Sequence, residues 1–291
     1  MTTAAQWWQG ARPRTLPAAV APVLVGSAAA AAAGGFVAAR AGLAMGVALA
    51  LQVGVNYAND YSDGVRGTDA DRVGPMRLVG SGAASPSRVK AAAFAAFGLA
   101  AVLGLLLVAL SGQWWLLGVG ALAVAAAWGY TGGSSPYGYR GLGEVSVFVF
   151  FGLVATLGTT YVQLLAVTTA SVLGAVAVGS LATAILVVNN LRDIPTDRGA
   201  GKRTLAVRLG DRWTRRLYLL LLAVAYACAA AVALDGYPRA LLAWLSLPWA
   251  VRAAGVVERG ATGPALVAAL VDTGRAELAL AIGLSIGLVV G

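Results

Sequence analysis

Long apolar stretches alternate along this chain with short clusters of charge. Each stretch runs for roughly 18–24 residues, the length of helix needed to cross a ~30 Å hydrocarbon core. The stretches predict spans at 16–36, 41–60, 87–110, 114–131, 143–166, 169–191, 214–234, 239–257 and 274–291. The expected fold class is therefore all-α: a polytopic membrane protein of about nine transmembrane helices, read as one domain over residues 1–291. The run from Leu16 to Ala33 follows Arg12 and Arg14, but it is longer than the apolar region of a secretory signal and further spans follow at once. It reads as the first retained helix.

Composition sharpens this picture. Hydrophobic residues make up 59% of the chain and charged residues 11%, against about 25% charged in a soluble domain. The net charge of +9 reads as basic membrane loops and not as a nucleic-acid surface. With the N-terminus in the cytoplasm, all of the 21 Lys and Arg residues except Arg40 and Arg239 fall on the cytoplasmic side, as the positive-inside rule requires. A cell (inner or plasma) membrane location, with the functional face toward the cytoplasm, is the resulting expectation. The single cysteine, Cys228, excludes an internal disulfide, and the absence of histidine excludes His-ligated zinc or haem and His general bases.

Turns on the outer side are short, whereas the loops expected at 61–86, 132–142 and 192–213 are long and polar. Function is expected on that face. Two of these regions resemble each other. The first reads NYANDYSDGVRGTDADR, Asn56–Arg72, and includes Asn59 and Arg66. If the second helix continues through it, Asn56, Asp60 and Asp63 fall within roughly 60° on one face. The second reads NNLRDIPTDRGAGKRT, Asn189–Thr204. It carries Asn189, Asp193 and Asp197, and Pro195 predicts that the helix ends near Ile194. Asp60 and Asp193 are 133 residues apart, about four helices, which suggests a weak internal duplication with motifs at 56–72 and 189–204.

Hard oxygen donors of this kind suit Mg²⁺, with Mn²⁺ as a substitute. Facing acidic clusters repel unless cations and a counter-ligand lie between them, and a Mg²⁺-bridged diphosphate meets that need. Arg66, Arg77, Arg140, Lys202 and Arg203 are candidates to bind its remaining oxygens. An apolar helix bundle beneath such a site has room for a hydrocarbon tail, as in a prenyl diphosphate. Tyr57, Tyr61, Tyr130, Tyr137 and Tyr139 are candidate faces for an allylic cation. The Gly-rich stretch Gly129–Glu144 lies on the same side, and Glu144 either caps the following helix or belongs to the site.

The pairing of NDYSDGVRGTD with RDIPTDRGAGKRTLAVRLG resembles the two aspartate motifs of the UbiA superfamily of membrane prenyltransferases. Three stretches, ARPRTLPAAVAPVLVG, YTGGSSPYGYRGLGEVSVFVFFG and LAVRLG, resemble its dihydroxynaphthoate branch. The resemblance covers residues 11–215 well. It implies nine helices around a central cavity, and Mg²⁺ held by Asp60, Asp63, Asp193 and Asp197 with Asn56 and Asn189 assisting. It also implies transfer of a polyprenyl group from polyprenyl diphosphate to 1,4-dihydroxy-2-naphthoate within the membrane lipid. Acceptors such as 4-hydroxybenzoate or homogentisate are the alternative, and a cation-coupled transporter is the alternative of another class. Many members carry a third acid where this chain has Gly67; the next acids are Asp69 and Asp71. Arg140 is expected to pair the carboxylate of the aromatic acceptor.

Overall fold

The computed structural model describes residues 2–67 and 76–291. Asp69, Asp71 and Arg72 lie outside the described residues. The helices are α1 (Ala4–Gly10), α2 (Pro17–Ala32), α3 (Ala38–Arg66), α4 (Pro86–Ser111), α5 (Leu116–Gly129), α6 (Gly143–Val147), α7 (Ala155–Leu164), α8 (Thr169–Gly199), α9 (Leu205–Leu234), α10 (Leu247–Glu258) and α11 (Leu266–Val290). Short 3₁₀ segments lie at Pro13–Thr15, Tyr137–Arg140 and Pro238–Ser246, and a wide π-helical stretch, Phe148–Val154, joins α6 to α7. Every apolar stretch of the sequence is thus helical.

Seven helical segments are long and apolar enough to cross a membrane. The bent pair Ala4–Thr15 and Pro17–Ala32, folded by 51°, makes an eighth. A ninth crossing requires α5, whose 14 residues rise about 21 Å. Large apolar side chains on α4 and α5 face outward, among them Leu99, Val102, Leu106, Leu110 and Leu122. In water such a surface would be a liability; in lipid it is the solvent-facing one. The chain is a multi-pass membrane protein.

α8 is the central helix. In its apolar stretch 72% of residues are buried, against 22% in α3 and in α4. Thr168 and Ser171 open it with a reciprocal capping box. Small residues bring its neighbours close: Gly179 meets Gly152 of the π stretch backbone to backbone. That contact holds Phe148 and Phe151 against α8 and needs both glycines.

Two expectations are corrected. Pro195 does not end α8, which continues to Gly199. Proline removes one backbone bond but tolerates helical φ, and Pro195 stands exposed near the end of the helix, where its ring meets no packed neighbour. Asp197 therefore lies on the helix and not in a loop. The polar region 192–213 is largely helical too, since α9 begins at Leu205. Gly210 (φ 74°, ψ 172°) kinks α9 within its first two turns.

Arg40 and Arg239, the two arginines away from the basic end, both have structural partners. Arg40 donates to the carbonyls of Val162 and Leu110, and Arg239 to that of Val290. Each satisfies carbonyls in the last turn of a helix, where a cation is favoured.

Candidate active site

α3 and α8 run toward the same end of the bundle and face one cavity of about 530 Å³. The wall is graded. Along α8 it passes from Ala182, Ile185 and Leu186 through Asn189 and Asn190 to Asp193, Thr196 and Asp197. These positions recur every three to four residues, so they share a face. α3 contributes Gln52, Asn59 and Asp63. Val147 and Phe151 line the apolar part, and Arg12, Arg77 and Lys202 bring positive charge. The cavity therefore has a charged mouth and an apolar floor.

Asp63 is the hub of the mouth. It pairs with Lys202 Nζ at 3.3 Å and Arg77 at 3.7 Å, and it accepts the Tyr139 hydroxyl. Lys202 Nζ also lies 4.4 Å from the Tyr139 ring centroid, and Arg66 lies 5.5 Å from it. Burial, and then the charge of Asp63, push the Tyr139 phenol well above its usual range. Burial, and then Glu144, do the same to Tyr130. Both rings stay neutral hydroxyl donors. Asp193 is gripped by the fork of Arg192, two bonds of 2.7 Å, and Arg192 also donates to Asn189 Oδ1.

The other candidates are placed differently. Asp60 is fully buried, and its two oxygens accept the backbone N–H groups of Leu78 (2.7 Å) and Val79 (2.9 Å). It anchors the chain that returns from the first motif, and it is not on the cavity wall. Asn56 donates to Ala11 O and Thr15 Oγ1 and holds the N-terminal segment against α3. Asn59 accepts from Thr131 Oγ1. Glu144 stands behind the wall, where its Oε1 receives Asn190 Nδ2 at 2.9 Å. Arg66 donates to the carbonyls of Thr131 and Gly133 and so ties the end of α3 to the Gly-rich stretch.

Arg140 and Arg203 correct an expectation: both are exposed, and neither lines the cavity. In a 3₁₀ turn, residues i and i+3 project together. Tyr137 points to Ala126 O and Ser146 Oγ, so Arg140 leaves on that side while Gly138 and Tyr139 face the cavity. Arg203 joins the site through its backbone, donating N–H to Tyr139 O. Arg12 takes a place on the wall that the sequence analysis did not assign. Its left-handed backbone (φ 53°, ψ 67°) precedes the 3₁₀ turn and aims it inward. Glu277 on α11 is also unanticipated: it is fully buried, with no hydrogen bond to either oxygen among the described residues, and it is not on the wall.

Comparison with known proteins places this arrangement. The sequence model of the UbiA prenyltransferase family matches residues 19–270. The chain belongs to this family. It is 54% identical over 291 residues to 1,4-dihydroxy-2-naphthoate octaprenyltransferase of Mycobacterium tuberculosis, covering 100% of this chain and 99% of that one. It is 44% identical over 230 residues to the protein of the same name from Escherichia coli, covering 77% and 75%. The fold is that of an apo UbiA homolog from Aeropyrum pernix K1 (TM-score 0.71, 20% identity, covering 96% and 98%). It also matches a UbiA homolog from Archaeoglobus fulgidus bound to GPP and Mg²⁺ (TM-score 0.69, 15% identity, covering 98% and 99%). The family is one of membrane prenyltransferases, so the transporter alternative is set aside.

Among the described residues no three carboxylates converge on one metal position. The donor set instead lines two sides of one cavity, with bases beside it. That fits Mg²⁺ shared between a protein carboxylate or two and a substrate phosphate better than an all-protein cage.

Proposed function

We propose that this protein transfers a polyprenyl group from polyprenyl diphosphate to 1,4-dihydroxy-2-naphthoate, releasing CO₂ and diphosphate and forming demethylmenaquinol, the reduced form of demethylmenaquinone. The whole-length identity to octaprenyltransferases of that name supports the acceptor. The observation that carries the chemistry is the graded cavity, charged at its mouth and apolar below, which matches a diphosphate with a hydrocarbon tail.

Asp63, Asp193 and Asp197 would hold Mg²⁺, with Asp60 and Asn189 supporting the two motifs. When bound, Mg²⁺ neutralises the charge of the departing diphosphate. Arg12, Arg77 and Lys202 meet phosphate oxygens and orient the leaving group. The C1–O bond of the prenyl diphosphate breaks, and positive charge develops on the allylic carbons. The Tyr130 and Tyr139 rings, held neutral, face the cavity and favour that charge. The new C–C bond forms at the ring carbon bearing the carboxylate, which leaves as CO₂. Val147, Phe151, Ile185 and Leu186 keep water away from the cation, which would otherwise be hydrolysed.

Purified protein given octaprenyl diphosphate, Mg²⁺ and dihydroxynaphthoate is expected to yield demethylmenaquinol, detected by mass spectrometry as such or as the quinone that air forms from it. Prenylation of 4-hydroxybenzoate or homogentisate in preference would overturn the acceptor assignment. Lys202→Ala should raise KM for the prenyl diphosphate by about tenfold or more, since a charge-assisted bond is lost. Arg140→Ala, on the exposed side of its turn, should change KM for either substrate by less than about twofold. We place the aspartate end in the cytoplasm on the basic asymmetry. A cysteine at Ala200 should then label from the cytoplasm and one at Gly112 from outside; the reverse pattern would invert the protein.

A further inference from the structure

Gln52 is a polar side chain at the apolar end of the cavity. It lies 11 positions before Asp63 on α3, close to three full turns, so both share a face and Gln52 is about 16 Å deeper along the axis. Ala182 and Ile185 occupy the corresponding depth on α8. Gln52 is 7% exposed, and its Oε1 has no hydrogen-bond partner among the described residues.

The orientation of that oxygen follows from Thr15. The Thr15 hydroxyl has one proton, which it donates to Arg12 O at 2.9 Å. Toward its other neighbours it can only accept, and it receives Gln52 Nε2 at 2.8 Å and Asn56 Nδ2 at 2.9 Å. Turning the Gln52 amide over would draw the Thr15 proton away from Arg12 O and leave Nε2, in place of Oε1, as the atom without a partner. With the NH₂ group on Thr15, Oε1 is the atom of this cavity-lining residue that has no donor among the described residues.

A buried carbonyl without a donor is unfavourable, so a ligand that satisfies it is favoured. Polyprenyl diphosphate has no donor to offer at this depth: its tail is hydrocarbon and its phosphates are acceptors at the other end. The aromatic acceptor has hydroxyls. The hydroxyl beside the ring carboxylate bonds to that carboxylate, while the 4-hydroxyl depends on the protein. We propose that Gln52 Oε1 accepts a hydrogen bond from the 4-hydroxyl of the aromatic acceptor and so selects a dihydroxy ring. This rests on the acceptor reading given above.

The test compares 1,4-dihydroxy-2-naphthoate with 1-hydroxy-2-naphthoate, which lacks the 4-hydroxyl, used as a competitive inhibitor of the purified full chain. In the wild type the inhibition constant should exceed KM for the substrate by about tenfold or more, because a site built for a hydroxyl disfavours its absence. In Gln52→Met the two constants should agree within about twofold, with KM for the prenyl diphosphate unchanged. If that variant does not fold, Gln52→Glu, which keeps an acceptor oxygen, should retain the discrimination. An unaltered ratio in Gln52→Met, as expected if Oε1 bonds only a trapped water, overturns the proposal. So does a rise confined to KM for the prenyl diphosphate. If the wild type ignores the naphthoate and prenylates 4-hydroxybenzoate, the acceptor reading alone fails. The same ratio, measured with 4-hydroxybenzoate and benzoate, then decides Gln52.

Discussion

Asp63→Asn and Asp193→Asn are each expected to lower turnover by at least about a hundredfold, the scale set by removing one donor to a developing anion. Both carboxylates line the mouth of the cavity from different helices; Asp63 sits among bases of the same wall, Arg77 and Lys202, and Asp193 is held in place by Arg192. Asparagine keeps the shape and removes the charge, so folded protein should remain in the membrane. Asp60→Asn should behave differently. Its oxygens satisfy two backbone N–H groups in a fully buried place. An amide turns an NH₂ toward one of them, leaving a buried donor unpaired at a cost of about 1–3 kcal/mol. That variant should lose thermal stability together with activity. Wild-type activity should vanish in EDTA and return with Mg²⁺ or Mn²⁺. Full turnover in chelator, or more than half of wild-type turnover in both Asp63→Asn and Asp193→Asn, would refute the metal–diphosphate mechanism.

Gly179→Leu should leave little folded protein. A Cβ at Gly179 would stand 2.8 Å from Gly152 Cα, and one at Gly152 would stand 2.6 Å from Gly179 Cα and 2.9 Å from Ala175 O. The obstacles are backbone atoms, which cannot rotate away as a side-chain tip can. α8 would have to move off the Phe148–Val154 stretch, and the cavity wall made by Phe151 and Leu186 would move with it. Overpacking of this sort costs about 1–3 kcal/mol where side chains yield, and more where backbone must. Gly158→Ala is the matched control, since a Cβ there meets nothing within 4 Å. Thermal unfolding in detergent should fall by several degrees or be lost for Gly179→Leu and stay unchanged for Gly158→Ala. Equal stability of the two would show that the glycine contact does not hold the wall.

The helices were legible from hydropathy because a membrane helix satisfies its own backbone bonds. Whether a segment crosses depends on its own residues far more than on its neighbours. The aspartate motifs were legible as motifs, but not residue by residue: the periodicity of α3 put Asn56, Asp60 and Asp63 on one face, yet only Asp63 of the three lines the cavity, beside Gln52 and Asn59. Pro195 misled because its preference is statistical: on an exposed stretch at the end of α8 the helix runs on to Gly199 at the loss of one backbone bond.

The bases were legible only in part: Arg77 and Lys202 line the cavity, whereas Arg140 and Arg203 do not. Lys202 and Arg203 are adjacent in sequence, yet Lys202 reaches Asp63 and Arg203 faces outward. Arg140 sits beside Tyr139, yet only the tyrosine meets the cavity. Composition and spacing cannot separate such neighbours, because which side of a turn faces inward depends on partners far along the chain. Gln52 is the same case in the core. Its acceptor oxygen is oriented by the Thr15 hydroxyl, 37 residues away, which is itself oriented by the Arg12 carbonyl. Membrane crossing and the presence of two acidic motifs rest on short-range regularities, so they could be read from the order of residues. The direction of each polar side chain rests on contacts between distant segments, and those exist only once the helices have packed.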